Sequence, residues 1–155
     1  MCGGFDPLSI RYELTDTNYL MTINAIHVVA AVIYNSKRDQ ILIAKRPDHL
    51  HQGGLWEFPG GKVEDKEVPL QALHRELEEE LTISIDQSSS KWLFDVVHDY
   101  PDKTVYLEFW EVFEFSGEPS GNEQQDILWV SINELPKYDF PEANKAIINQ
   151  LVVGS

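Results

Sequence analysis

Residues 61–83 read GKVEDKEVPLQALHRELEEELTI, with a glycine at 61, Glu67, an Arg75-Glu76 pair and a Glu79-Glu80 pair. On a helical wheel of about 100° per residue, Glu79 lies about 60° to one side of Glu76 and Glu80 about 40° to the other, so three carboxylates share one stripe. Leu70, Leu73, Leu77 and Leu81 make a second stripe that would face a core, and Gln71, His74 and Glu78 fall on the side left to solvent. Like charges three and four residues apart oppose an isolated helix by about 0.2–0.5 kcal/mol per pair. Neither Glu79 nor Glu80 is followed at the favourable spacing by a Lys or Arg. Hard dications take oxygen ligands and share them with phosphates, so a carboxylate stripe beside an apolar one suits phosphate chemistry. The alternative is an acidic surface helix in an acidic protein. The glycines just upstream weigh against it.

Outward from this stretch the chain alternates strand-like runs with turn residues. From Ile23 the run AIHVVAAVIY reads as a buried strand, Asn35 to Asp39 as a turn, and Gln40 to Ala44 as the strand's hairpin partner. Arg46 to Gly61 holds four glycines and two prolines and reads as a loop, interrupted by a short apolar piece at Leu55 to Phe58. Lys91 to Val97 and Thr104 to Phe115 read as two long strands joined at Pro101-Asp102, with Trp92 and Trp110 supplying core. Beyond the loop Gly117 to Gln125, Ile127 to Val130 is a further strand, and Ser131 is the expected cap of a short helical turn. Pro141 to Val152 is the expected terminal helix, burying Ala146, Ile147 and Leu151. Strands on both sides of one helix, plus a closing helix, give an α/β class with a mixed sheet between helices.

A chain of 155 residues, 43% hydrophobic, suits one compact domain. The domain is expected over 21–155. Residues 1–20 carry no period and are expected to be a loose extension or an over-long start. The balance of 12 basic against 26 acidic residues, net −14, repels polymeric nucleic acid. Cys2 is the only cysteine, so no internal disulfide forms and a reducing cytoplasm is the expected compartment. No run approaches the eighteen or so apolar residues of a membrane helix, and no signal peptide is evident, so no membrane partner is expected.

The 61–83 stretch resembles the Nudix signature, matching at Gly61, Glu67, Arg75, Glu76, Leu77, Glu79, Glu80 and Ile83. One position departs: the family's last glycine is Thr82 here, a β-branched residue poorly suited to a left-handed helix end. The likeness extends over most of 24–151 and is nearest to the MutT-type branch. It implies an α/β/α sandwich and Mg²⁺-dependent hydrolysis of a nucleoside triphosphate to the monophosphate and pyrophosphate, with Mn²⁺ as the other candidate ion; a monomer is the expected state, which the resemblance itself does not give. The substrate implied first is 8-oxo-dGTP.

The resemblance also implies roles, residue by residue. Glu76, Glu79 and Glu80 would hold metal together with the Gly60 carbonyl, glycine there letting the main chain approach an ion or phosphate, and Glu123 in Gly121-Asn122-Glu123 would add a further ligand. Arg75 would orient the glutamates, with Glu67 supporting the site or favouring the helix dipole. Arg46 in IAKR would bind phosphate. His51 matches a loop histidine, and Glu57, Phe58, Pro59 and Gly60 match a nucleotide-contacting stretch. Tyr100 and Asp102 match a Phe-Pro-Asp corner near the base, with Tyr in place of Phe. Asn144 in Phe140-Pro141-Glu142-Ala143-Asn144 would read the base, since an amide offers one acceptor and two donors. Two other readings stay open: the same chemistry on CTP-type pyrimidine nucleotides, and a non-catalytic nucleotide-recognition domain. The intact carboxylate pairs argue against the second, because a pure binder has no need of mutually repelling side chains.

Overall fold

The computed structural model describes residues 25–50, 53–122 and 125–154. Three sheets and two α-helices build it: β1 (Ile26–Ile33), β2 (Gln40–Lys45), β3 (Trp56–Glu57), β4 (Gly60–Lys62), α1 (Pro69–Leu81), β5 (Ser84–Ile85), β6 (Lys91–Tyr100), β7 (Lys103–Val112), β8 (Phe115–Ser116), β9 (Ile127–Ser131) and α2 (Lys145–Gly154). The main sheet runs β4-β1-β7-β6 and is mixed: β1 pairs parallel with β7, while its pairing with β4 and that of β6 with β7 are antiparallel. A second sheet runs β3-β2-β9, and β5 pairs with β8. The mixed sheet between helices is as expected.

β1 is apolar from Val28 to Ile33, and both its faces are covered from Val29 onward. Val29, Ala31 and Ile33 pack with Leu73, Leu77 and Leu81 of α1, whereas Ala30 and Val32 join Phe58, Phe109, Phe140 and Ile147 on the other face. Leu73, Leu77 and Leu81 have no exposed surface. Burying each contributes about 1.5–3 kcal/mol, several times the repulsion of one like-charge pair, so tertiary packing carries the acidic helix.

Several expectations change in the folded chain. β2 is not the hairpin partner of β1: only an isolated Tyr34–Ile41 bridge joins them, since β4 and β7 occupy both edges of β1. The intervening turn does form, with Asn35 Oδ1 accepting from the Asp39 and Gln40 N–H groups, each at 3.0 Å. The loop 46–61 contains β3 and the first two residues of β4. Trp92 is 51% exposed because it sits on the edge strand β6, beside a register shift between Trp92 and Phe94. Ser131 makes no side-chain cap, Ala146 is exposed, and Ile148 is buried instead. His74 is half-buried, with Nδ1 out of solvent. Among the described residues no helix is long and apolar enough to cross a membrane.

Thr82 does adopt the left-handed helix end, φ 59° and ψ 31°, in place of glycine. Its N–H donates to Glu78 O at 3.1 Å, and its hydroxyl bonds Leu81 O at 2.5 Å and lies 3.1 Å from Ser120 Oγ. These contacts offset part of the cost of about 1–2 kcal/mol that the conformation imposes.

Candidate active site

A cavity of about 280 Å³ opens between the main sheet, the end of β2 and the segment before α2; Arg46, Glu57, Gly60, Glu80, Tyr100 and Asn144 all line it. Phe58 lines it as well, from deep in the core: it is 3% exposed, stacked on Phe140 and edge-on to Phe109. Pro59 turns its carbonyl to the Ala31 N–H at 2.8 Å, which docks the loop on β1. Asp102 is exposed at the β6–β7 turn and is not part of the wall. His51 and Glu123 lie outside the described residues.

The carboxylate end is built by α1 and β4. Pro69 opens the helix with no N–H to leave unpaired, and Gln71 Oε1 accepts from the Val68 N–H at 3.3 Å. Glu67 stands ahead of the helix, where Arg75 bonds it twice, Nε to Oε2 at 2.8 Å and Nη2 to Oε1 at 2.9 Å. That partnership holds the Glu67 carboxyl down at about 2, helped by the Glu64 main chain. Arg75 Nη1 also reaches Glu76 Oε2 at 3.0 Å, and Glu79 Oε1 lies 3.7 Å away.

The two glycines of β4 meet different neighbours, backbone at Gly60 and the end of the Glu76 side chain at Gly61. A Cβ on Gly60 would meet Ala30 Cα at 2.7 Å, so strand β1 by itself leaves no room for a side chain at this position. A Cβ on Gly61 would stand 2.5 Å from both Glu76 oxygens. Glycine at 61 thus makes a cradle in which the Glu76 carboxylate lies against the main chain. Oxygen donors from Glu76 and Glu80 beside this cradle suit a hard divalent cation.

The three glutamates do not close into one cage. Among the described residues, no three His, Cys, Asp or Glu side chains converge tightly enough to hold an ion unaided. Glu80 lines the cavity, Glu76 sits in its cradle with 19% of its side chain exposed, and Glu79 stays 59% exposed on the solvent side of Arg75. Two of the three lean on Arg75 and the third lines the cavity, so a cation, phosphate oxygens and water would complete the coordination.

At the other end Arg46 Nη1 pairs with Glu57 Oε1 at 3.0 Å, and burial pushes Glu57 above the usual carboxylate range against the pull of Arg46. Burial likewise raises Tyr100, which hydrogen-bonds the Ala143 main chain. Asn144, expected as a base reader or a helical surface residue, is 7% exposed and ends the 3₁₀ turn Glu142–Asn144. Among the described residues nothing hydrogen-bonds its amide, which faces the cavity. Lys62 and Lys103 also line the wall. The sequence reading missed both, since an isolated lysine on a strand carries no signal until the sheet brings it to a shared wall.

The model of the NUDIX domain matches residues 29–150. An 8-oxo-dGTP diphosphatase of Proteus vulgaris is 46% identical over 99 residues, which cover 64% of this chain and 86% of that protein. A CTP pyrophosphohydrolase of Escherichia coli K12 is 39% identical over 120 residues, covering 77% of this chain and 85% of that one. A solved MutT structure, from work on the Aliivibrio salmonicida and Vibrio cholerae proteins, superposes with TM-score 0.74 at 42% identity over 84% of this chain and 99% of its own. With the signature running from β4 through α1 to Ile83, and the family match running from β1 into α2, the chain belongs to the Nudix family.

Proposed function

We propose that this Nudix enzyme hydrolyses a nucleoside triphosphate to the monophosphate and pyrophosphate with Mg²⁺, and that its preferred substrate is 8-oxo-dGTP. The observation that carries the substrate is Asn144: this largely buried residue, with no side-chain hydrogen bond among the described residues, lines the same cavity as the carboxylate Glu80. An amide left open on a cavity wall is free to pair with a ligand edge, each such hydrogen bond contributing about 0.5–1.5 kcal/mol. Oxidation at C8 turns guanine N7 from acceptor to donor, and the Asn144 carbonyl would accept that N–H while its NH₂ donates to the neighbouring carbonyl. Sites built on such pairing reject the mismatched analogue by up to about 10⁴–10⁵.

Residues along the cavity take the remaining roles. Lys62 would face the phosphates beside β4, and Arg46 and Lys103, which stand by Tyr100, would reach them from the base end, a cationic lining in a chain whose net charge is −14. Glu76 and Glu80, with Glu79 at the rim and the Gly60 carbonyl, would hold the ion, and Glu123 stands as a further ligand proposed from sequence alone. His51 is likewise proposed as a nucleotide contact on sequence alone. A bound divalent ion supplies neutralisation of phosphate charge and a water of lowered pKa. Arg75 would aim Glu76 through the Nη1–Oε2 bond, and Phe58 and Tyr100 would shape the wall beside the base. Water adds across the α–β anhydride, and pyrophosphate leaves. The same reading makes the protein a monomer of the reducing cytoplasm acting on free nucleotides, in keeping with the lone Cys2.

A panel of 8-oxo-dGTP, dGTP and CTP assayed with Mg²⁺, with pyrophosphate and orthophosphate measured separately, tests this. Expected are the highest kcat/KM on 8-oxo-dGTP, pyrophosphate as product, and complete loss with a chelator that added Mg²⁺ reverses. A preference for CTP moves the substrate to that of the E. coli relative. Binding without hydrolysis, or hydrolysis without metal, defeats the mechanism.

A further inference from the structure

A helix leaves its last four carbonyls without intrahelical partners. In α1 these belong to residues 78–81, two of which carry proposed metal ligands, and every one is satisfied. Thr82 N–H donates to Glu78 O at 3.1 Å, Asn122 Nδ2 to Glu79 O at 2.8 Å, Asn122 N–H to Glu80 O at 2.9 Å and Ser120 N–H to Leu81 O at 3.0 Å. The last turn holds no Lys or Arg, so these donors are what faces the negative helix end where Glu79 and Glu80 sit. The loop is held close: Gly117 has φ +95°, and a Cβ there would stand 2.9 Å from Thr82 O.

We propose that Asn122 is a positioning residue for metal binding. By capping the Glu79 and Glu80 carbonyls together, it fixes the main-chain turn from which both carboxylates spring. Asn is suited to the task because its amide adds a second donor to the main-chain N–H, so one residue serves two successive carbonyls. Alanine would keep one donor. Aspartate would aim a negative oxygen at the Glu79 carbonyl. Thr82 tolerates its left-handed conformation in the same clamp, through the contact of its hydroxyl with Ser120. This inference rests on the reading of α1 as the metal-binding helix.

The test compares wild type with Asn122→Ala, Asn122→Asp and Asn122→Ser. Three quantities are measured: binding of Mn²⁺ alone, by the electron paramagnetic resonance of free ion, the Mg²⁺ concentration that half-activates 8-oxo-dGTP hydrolysis, and the melting temperature. Residues that orient metal ligands change affinity by about 10–100-fold. Asn122→Ala is expected to weaken Mn²⁺ binding about tenfold and to raise the half-activating Mg²⁺ in proportion, leaving the nucleotide KM at saturating Mg²⁺ unchanged. Asn122→Asp should lose more, and Asn122→Ser, which keeps a donor, should recover part. A folded Asn122→Ala protein that binds Mn²⁺ within twofold of wild type overturns the proposal. If the alanine variant does not fold, Asn122→Ser decides: a lowered melting temperature with unchanged Mn²⁺ binding makes the clamp structural only and overturns the positioning role. A wild type that binds Mn²⁺ but hydrolyses no nucleotide defeats the functional reading alone, whereas an active wild type matched by Asn122→Ala defeats the clamp alone.

Discussion

Arg75 grips Glu67 through two parallel hydrogen bonds, at 2.8 and 2.9 Å, and so ties the segment ahead of α1 to the second turn of the helix. A third bond from the same guanidinium, at 3.1 Å, reaches the Lys62 carbonyl at the end of β4. One side chain thereby joins the glycine strand, the pre-helix loop and the carboxylate face.

The first prediction concerns pH. The folded Glu67 carboxyl is held at about 2, below the ordinary glutamate value of about 4.3. Such a group contributes stability that is fully present above the unfolded value and is lost as pH falls through the folded one. Glu67→Gln should therefore melt below wild type at pH 7, and the gap should narrow as pH drops from about 4.3 towards about 2. Melting temperatures of both proteins across that range check it, and a gap independent of pH would remove the ion pair as the cause.

The carboxylate that lines the cavity should matter most to turnover. Glu80→Gln should lower kcat at least about a hundredfold at saturating Mg²⁺ while the fold persists, as removing an electrostatic group at the reacting centre does. Relief of like-charge repulsion leaves the metal-free protein equally or slightly more stable. Steady-state kinetics and thermal melting measure the two effects, and retention of more than a tenth of the activity would be incompatible with a ligand at this position.

Asn144→Ala should strip contacts from the base and leave the phosphates alone. Two lost hydrogen bonds of about 0.5–1.5 kcal/mol each correspond to a loss of roughly ten- to a hundredfold in kcat/KM for 8-oxo-dGTP. Plain dGTP, which offers no N7 donor, should lose less. Parallel assays on the two nucleotides decide this, and equal losses would remove Asn144 as the reader.

Phe58 links core and site. At 3% exposure between Phe109 and Phe140, its truncation to alanine should destabilise the fold by about 3–5 kcal/mol. Urea unfolding measures it. A loss under about 1 kcal/mol would mean the cavity collapses at little cost.

The local sequence determined the elements whose signal is contained within them. The period of Leu73, Leu77 and Leu81 fixes the buried face of α1, and the Gly61-to-Ile83 spacing identifies the family because each position is read along one helix and the loop before it. The continuous apolar run of β1 likewise announces a strand covered on both faces.

Only the tertiary structure decided relations between distant segments. The pairing of β1 with β4 and β7, and not with β2, depends on which edges are already taken, a property of the assembled sheet. Gly60 proved to lie against the backbone of β1, and Gly61 against the end of the Glu76 side chain, distinctions that a glycine in a sequence does not carry. The placement of Lys62, Lys103 and Asn144 on one wall, and the capping of Glu79 and Glu80 by Asn122, arise from hydrogen bonds and packing between residues far apart in the chain. Helical and strand periodicities report which face of an element is buried; they contain no term for the partner that buries it.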